Sequence, residues 1–143
     1  MGDSPPAPPT SPEETVIAYV VAVGVCSLAL SESTLSVDRA SPISPLCATE
    51  PSGRRVRGGV IPGVGTYRLH GFGCRFELET GEEVDFDWGP DAQPRFDVWR
   101  LQTFARSRGG PTLSDDAIVH ALTDLCDRGL LVPVSESFYR LVT

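Results

Sequence analysis

Apolar residues follow four patterns along the chain. Val16 to Leu30 (VIAYVVAVGVCSLAL) is apolar almost without interruption. That predicts a helix over about Glu13–Ser31, enclosed by the rest of the protein or by a partner. Thr66–His70, Cys74–Glu79 and about Glu83–Trp88 alternate with period two and read as a three-strand antiparallel meander. Ile118, Ala121, Leu122, Leu125 and Cys126 recur at i, i+3, i+4, i+7 and i+8, an amphipathic helix over about Ser114–Arg128. A shorter helix, about Asp97–Ser107, presents Val98, Leu101 and Ala105, broadened by Trp99 and Phe104. Leu130–Val134 and Phe138–Val142 close the chain as a hairpin across Ser135-Glu136-Ser137.

Capping signals fit these bounds. Asp97 is an N-cap residue type, Thr112 with Asp115 matches a capping box, and Gly129 suits the residue that ends a helix. Residues 1–12 hold five prolines and almost nothing apolar, the composition of a disordered tail. Val37 to Gly65 is rich in Ser, Pro and Gly and reads as one long loop. The predicted class is α+β: an N-terminal buried helix, a small antiparallel meander, two further helices and a wing-like C-terminal hairpin. It forms one domain over 13–143, interrupted by the loop at about 37–65.

Strand register follows from parity. A two-residue turn around Gly81 would set Phe76 opposite Asp85 and Cys74 opposite Asp87, mixing apolar and charged groups on one face. A three-residue loop with glycine in the left-handed conformation is a common hairpin connection, and it shifts the pairing by one. Cys74, Phe76, Val84, Phe86 and Trp88 then share one face. Arg75, Glu77, Glu83, Asp85 and Asp87 share the other.

Charge sharpens this picture. The 143 residues carry a net charge of −7, and all 12 basic residues are Arg. Seven acids and no base lie between Phe76 and Pro94: Glu77, Glu79, Glu82, Glu83, Asp85, Asp87 and Asp91. The segment predicts an anionic ribbon able to steer toward a cationic partner. The same balance argues against nucleic acid, whose binding needs cations on the protein. The only basic cluster, Arg54-Arg55-Val56-Arg57, lies in the predicted loop, either as a solvated tip or docked on the acidic ribbon.

Candidate chemistry is sparse. His70-Gly-Phe-Gly-Cys74 holds two of the groups a thiol catalyst needs, and Asp85 or Asp87 could orient the imidazole. The register turns Cys74 toward the apolar face, which suits packing better than reactivity. Asp85 and Asp87 point the same way but lack the spacing of a calcium loop, and the four cysteines contain no close pair, so no metal or cofactor is expected. Trp88 and Trp99 bracket Gly89-Pro90 as core residues or, if exposed, interface anchors. Arg75, Arg95 and Arg100 are placed to pair with the acids. The 15-residue apolar run is shorter than the roughly 20 needed to span a bilayer, and acidic flanks are wrong for an export signal. The chain therefore reads as cytoplasmic, with no membrane partner.

Two resemblances add to the residues. ALTDLCDRGLLVPVSESFYRLVT resembles the recognition helix and wing of winged-helix proteins, but its helix carries Asp115, Asp116, Asp124 and Asp127, the wrong charge for DNA. His70-Gly-Phe-Gly-Cys74, Asp85-Phe-Asp-Trp-Gly89 and Phe96-Asp-Val-Trp-Arg-Leu101 resemble the H-G-x-G-C, D-F-D-x-G and F-D-x-W-R-L motifs of an uncharacterised bacterial domain family of unknown function. That resemblance, over about Thr66–Thr143, implies a compact α+β domain and no activity. Small acidic domains of this style resemble immunity proteins. The expectation is a non-enzymatic immunity- or antitoxin-like inhibitor that meets a basic protein partner, a toxin for instance, through Glu77, Glu79, Glu83, Asp85, Asp87 and Asp91. Its alternatives are a small Cys/His enzyme centred on His70 and a degenerate winged-helix regulator. His70, Cys74, Trp88, Trp99 and Arg100 complete the candidate residues.

Overall fold

Every third or fourth residue of the N-terminal apolar run turns inward. Helix α1 (Pro12–Glu32) buries Thr15, Val16, Tyr19, Val23, Cys26 and Leu30, and Ser11 caps it by accepting the Glu14 N–H at 3.1 Å. The computed structural model of the chain describes residues 11–32, 36–38, 47–70, 73–88, 94–109, 112–134 and 138–142, with only the backbone at 36–38 and 47–48. Most of the Pro-rich tail, Asp91, the Gly71 and Gly89-Pro90 turns and the Ser135-Glu136-Ser137 connection lie outside the described residues.

Strands β1 (Ser36–Asp38), β2 (Cys47–Thr49) and β3 (Arg55–Val56) form a small antiparallel sheet. Strands β4 (Gly58–Ile61), β5 (Gly65–His70), β6 (Gly73–Leu78), β7 (Glu83–Trp88), β8 (Pro94–Phe96), β9 (Leu131–Pro133) and β10 (Tyr139–Leu141) form a second one in the order β4-β5-β6-β7-β8-β10-β9. Helices α2 (Val98–Ser107) and α3 (Asp115–Asp127) join α1 in one core with this sheet. The architecture is α+β, as the alternation and helical periodicity predict.

The Gly81 connection has odd length. Leu78 N–H bonds to the Glu82 carbonyl at 2.9 Å, leaving Glu79, Thr80 and Gly81 as the loop, with Gly81 at φ 94°. Phe76 therefore faces Val84, Cys74 faces Phe86, and Arg75 faces Asp85. One face of the sheet carries Tyr67, Leu69, Cys74, Phe76, Val84 and Phe86 into the core. The other carries Arg68, His70, Arg75, Glu77, Asp85 and Asp87.

Several expectations are corrected. The stretch from Val37 to Gly65 is not a continuous loop, since it holds β2, β3, β4 and most of β1. The meander is the centre of a seven-strand sheet, because β4 on one side and β8, β10 and β9 on the other extend it. The terminal hairpin forms as expected and also joins the large sheet, where Tyr139 and Arg140 pair with Phe96 and Arg95. Ser114, not Thr112, caps α3, accepting from the Ala117 N–H at 3.1 Å. Trp99 does not join the inner stripe of α2 and is 57% exposed. Of the two covers expected for α1, the protein itself supplies one side only and leaves Ile17, Val21, Val25 and Leu28 exposed.

Tyr19 ties α1 to the sheet. Its ring lies edge-on to Phe96 and Phe104 at 5.0 and 5.3 Å, and its hydroxyl donates to the Asp85 carbonyl. That carbonyl lies on the side of β7 from which β8 has turned away into α2, so the phenol takes the place of a missing ladder bond. Tyr19→Phe should cost about 1–2 kcal/mol by leaving the carbonyl unsatisfied in the core, read as a lowered urea midpoint with unchanged slope.

Candidate functional site

The polar face of β5, β6 and β7 draws its charges from positions that strand parity places together, and α2 adds one more. Strand β8 gives way to α2 at Asp97, whose carboxylate caps the helix by accepting the Arg100 N–H at 3.0 Å. Arg100 sits one turn in and reaches three carboxylates. Its Nη2 is 3.0 Å from Asp87 Oδ2, its Nη1 3.1 Å from Asp97 Oδ1, and its Nε 3.8 Å from Asp85 Oδ1. His70 Nε2 lies 2.9 Å from the same Asp85 oxygen, and Arg75 Nη2 is 3.4 Å from its Oδ2. Arg95 and Arg100 both stack over the Phe138 ring, at 5.3 and 5.6 Å.

This cluster is built into the protein. The Asp85 side chain is 4% exposed and that of Arg100 14%. Burial alone would lower the Arg100 pKa, but Asp87, Asp97 and Asp85 outweigh it and hold the guanidinium above its ordinary value. An uncompensated carboxylate in such a place would cost several kcal/mol. Here the carboxylates and the guanidinium compensate each other across β7 and the start of α2. Gly73 belongs to the same construction. It faces Asp87 across the strands, and a Cβ there would stand 2.0 Å from the Phe86 carbonyl and 2.6 Å from Asp87 Oδ1. The second glycine of the His-Gly-Phe-Gly-Cys motif lets β6 approach the aspartate.

The anionic ribbon is therefore not an open wall. Asp85 is buried beneath its partners and Asp87 is engaged by Arg100, because cations from β5, β6 and α2 reach the same strand face. Glu82 pairs with Arg108 at 3.3 Å. Glu77 and Glu79 remain exposed without an ion pair among the described residues, Glu83 is half-buried, and Asp91 lies outside them. Arg54 pairs loosely with Glu50 at 3.8 Å, and among the described residues the ion pairs of Asp85 and Asp87 are with His70, Arg75 and Arg100 and not with the basic cluster.

A thiol–imidazole pair is not assembled. Cys74 is fully buried on the core face, and its thiol leans toward the Arg75 carbonyl at 3.9 Å, whereas His70 lies on the polar face. Burial is the main cause that pushes the Cys74 thiol far up. The imidazole is oriented by Asp85 with its side chain 40% exposed. Among the described residues no hydroxyl or thiol is hydrogen-bonded to it, and no group of three metal-ligating side chains occurs. Trp88 packs edge-on to Phe86 at 5.5 Å. Trp99 stays exposed on α2.

One feature escaped the sequence reading: an open depression of about 480 Å³ beside the cluster, lined among others by Arg57, Arg68, Arg75, Glu77 and Glu83. The alternation of β5 and β6 could have shown that Arg68 and Arg75 share a face.

A family model described as a domain of unknown function (DUF6896) matches residues 13–141. The match takes in α1 as well as the motif-bearing half. No curated protein and no solved structure matches the chain.

Two outcomes follow from this geometry. Arg100→Ala should destabilise by about 3–5 kcal/mol, since it takes the guanidinium from Asp87 and removes one of the cations around the buried Asp85, while Glu79→Ala should change stability by under about 0.5 kcal/mol. Chemical denaturation of both variants measures the contrast. Cys26 and Cys74 should resist iodoacetamide at neutral pH in the folded protein. Burial pushes Cys26 up to about 12 and Cys74 higher still. The unfolded chain sheds those protons above about pH 9 and the folded one keeps them, so stability falls as pH rises beyond that point. A urea midpoint that did not decrease from neutral pH to pH 10 would contradict this.

Proposed function

The chain belongs to the DUF6896 family of domains of unknown function, and we propose that it is a non-enzymatic protein-interaction domain that docks a basic protein partner on the outer face of α1. One observation carries the reading. Ile17, Val21, Val25 and Leu28 are 39%, 58%, 50% and 57% exposed. Their spacings of four, four and three residues align them as one stripe about 16 Å long. No charged residue occurs between Glu14 and Glu32. A helix face that only met water would carry polar groups. Each half-exposed side chain leaves roughly 1 kcal/mol of burial unused, which a partner surface can recover.

Charge selects the occupant. Glu14 and Glu32 stand at the two ends of the stripe, about 27 Å apart along the helix, without ion pairs among the described residues. In a pairing of α1 with a second copy, acids would meet acids whether the helices ran parallel or antiparallel. An anionic bilayer would be repelled by the same ends. Helix α1 is long and apolar enough by length and composition to cross a membrane, but its inner face is committed to the core. The complementary surface is apolar in its centre and carries Arg or Lys at its margins. An immunity-type inhibitor that covers a cationic protein would use such a surface. The expected basic partner is kept in this proposal, and its docking site moves from the acidic ribbon over Glu77–Asp91 to α1.

The test places a photo-crosslinking residue at Val21 and, as a control, at Glu79 in the native host. The expected result is an adduct from position 21 only, on one protein, at an apolar segment flanked by basic residues, and lost in a Val25→Glu background that folds normally. Adducts to a second copy of the chain, to lipid, or equally from both positions would overturn the proposal.

A further inference from the structure

The polar face of the sheet carries a second surface feature, independent of α1 and on the opposite side of the sheet from it. Two adjacent rows of residues run across β5, β6 and β7. In the first, Arg68 faces Arg75, and Arg75 faces Asp85. In the second, Thr66 faces Glu77, and Glu77 faces Glu83. Like charges thus stand directly opposite each other twice, cation on cation and acid on acid, an arrangement that opposes sheet stability. Diagonal pairing does not relieve it: no ion pair within 4.0 Å joins Arg68, Glu77 or Glu83 to any described residue. Arg75 leans to Asp85 at 3.4 Å, which leaves Arg68 and the neighbouring Arg57 as the cations facing outward. The depression of about 480 Å³ opens over both rows.

From this arrangement we infer that the depression binds a small zwitterion, its anionic group between Arg57 and Arg68 and its cationic group over Glu77 and Glu83. The rows are two residues apart along each strand, so the charges they address are separated by about 7 Å. Arginine suits a carboxylate or phosphate through its planar fork of donors. Two facing glutamates repel each other less when an ammonium lies between them. A ligand with both ends removes both like-charge repulsions together. An anion alone would relieve the arginine pair and meet the glutamates. Long polyanions such as nucleic acid are rejected for the same reason, since their charge continues over the acidic row.

The test uses 6-aminohexanoate, whose extended chain holds its charges a comparable distance apart, against hexanoate, hexylamine and inorganic phosphate. Amide chemical shifts of the intact protein are followed by NMR during each titration. The expected result is saturable shifts for 6-aminohexanoate at residues 66–68, 75–77 and 83, with each singly charged probe at least about tenfold weaker. Arg68→Gln and Glu77→Gln should each weaken the zwitterion about tenfold while the melting temperature stays level or rises, because each relieves a like-charge pair. Hexanoate or phosphate binding as tightly as the zwitterion would reveal a plain cationic patch and overturn the inference. So would hexylamine binding as tightly, or no saturable shift at millimolar concentration. The Val25→Glu variant should bind 6-aminohexanoate normally, which separates this site from the α1 surface.

Discussion

The Arg100 guanidinium is the group on which the arrangement of α2, β7 and β8 depends. It is the cation shared by Asp85 and Asp87 of β7 and by Asp97, the cap of its own helix. A buried charge network is not in itself a strong source of stability, because desolvation offsets most of the attraction. Its effect is on specificity. A one-residue slip of β7 would turn Asp85 and Asp87 into a core of Phe76, Leu69 and Tyr67, and would carry Val84 and Phe86 to the polar face. It would also leave Arg100 buried without the two carboxylates of β7. Arg100 thus penalises the wrong register twice, and Tyr19 reinforces the same place by bonding to the Asp85 backbone from the core side.

How much of this the sequence discloses depends on the range of the interaction. The register at Gly81 is local. It follows from the parity of Cys74, Phe76, Val84 and Phe86 and from the one turn geometry that keeps them together. Helix α3 is legible for the same reason, since its five apolar positions fix their own face. The extension of the sheet by β4, β10 and β9 is not local. Val60 and Ile61 lie in a Gly-rich stretch with no clear period, and β10 joins β8 across more than forty residues. Ser114 displaced Thr112 as the cap because helix ends are set by which hydroxyl meets the N–H groups, and both residue types qualify on sequence alone.

The fate of the acids shows where charge counting fails. Seven acids without a base between Phe76 and Pro94 look like an open anionic surface. The cations that answer them come from outside that window: Arg75 just before it, His70 from the previous strand, Arg100 from α2 and Arg108 from the residue that ends it. Asp85 is buried although acidic because three cationic or hydrogen-bonding groups converge on its two oxygens. The first helix fails in the complementary way. A segment apolar all round specifies that it will be covered and says nothing about what covers each side, so Tyr19, Val23 and Cys26 look no different from Val21 and Val25 until the sheet is in place.

These two outcomes decide which charges are available for recognition. An acid already engaged by arginine offers little to a partner, because an incoming cation would have to displace a buried guanidinium. The acids that keep their reach are those at element ends and on the outer rows, such as Glu14 and Glu32 on α1 and Glu77 on β6. At α1 they frame an apolar stripe, where association can draw on burial of greasy surface with the charges setting orientation and partner. On the sheet they stand beside Arg57 and Arg68, which have no ion pair among the described residues, and there neither sign dominates and long-range steering is weak. The same net charge of −7 therefore has two different local meanings: an apolar surface with acidic margins suited to a cationic macromolecule, and a mixed surface suited to something small enough to place one charge on each row.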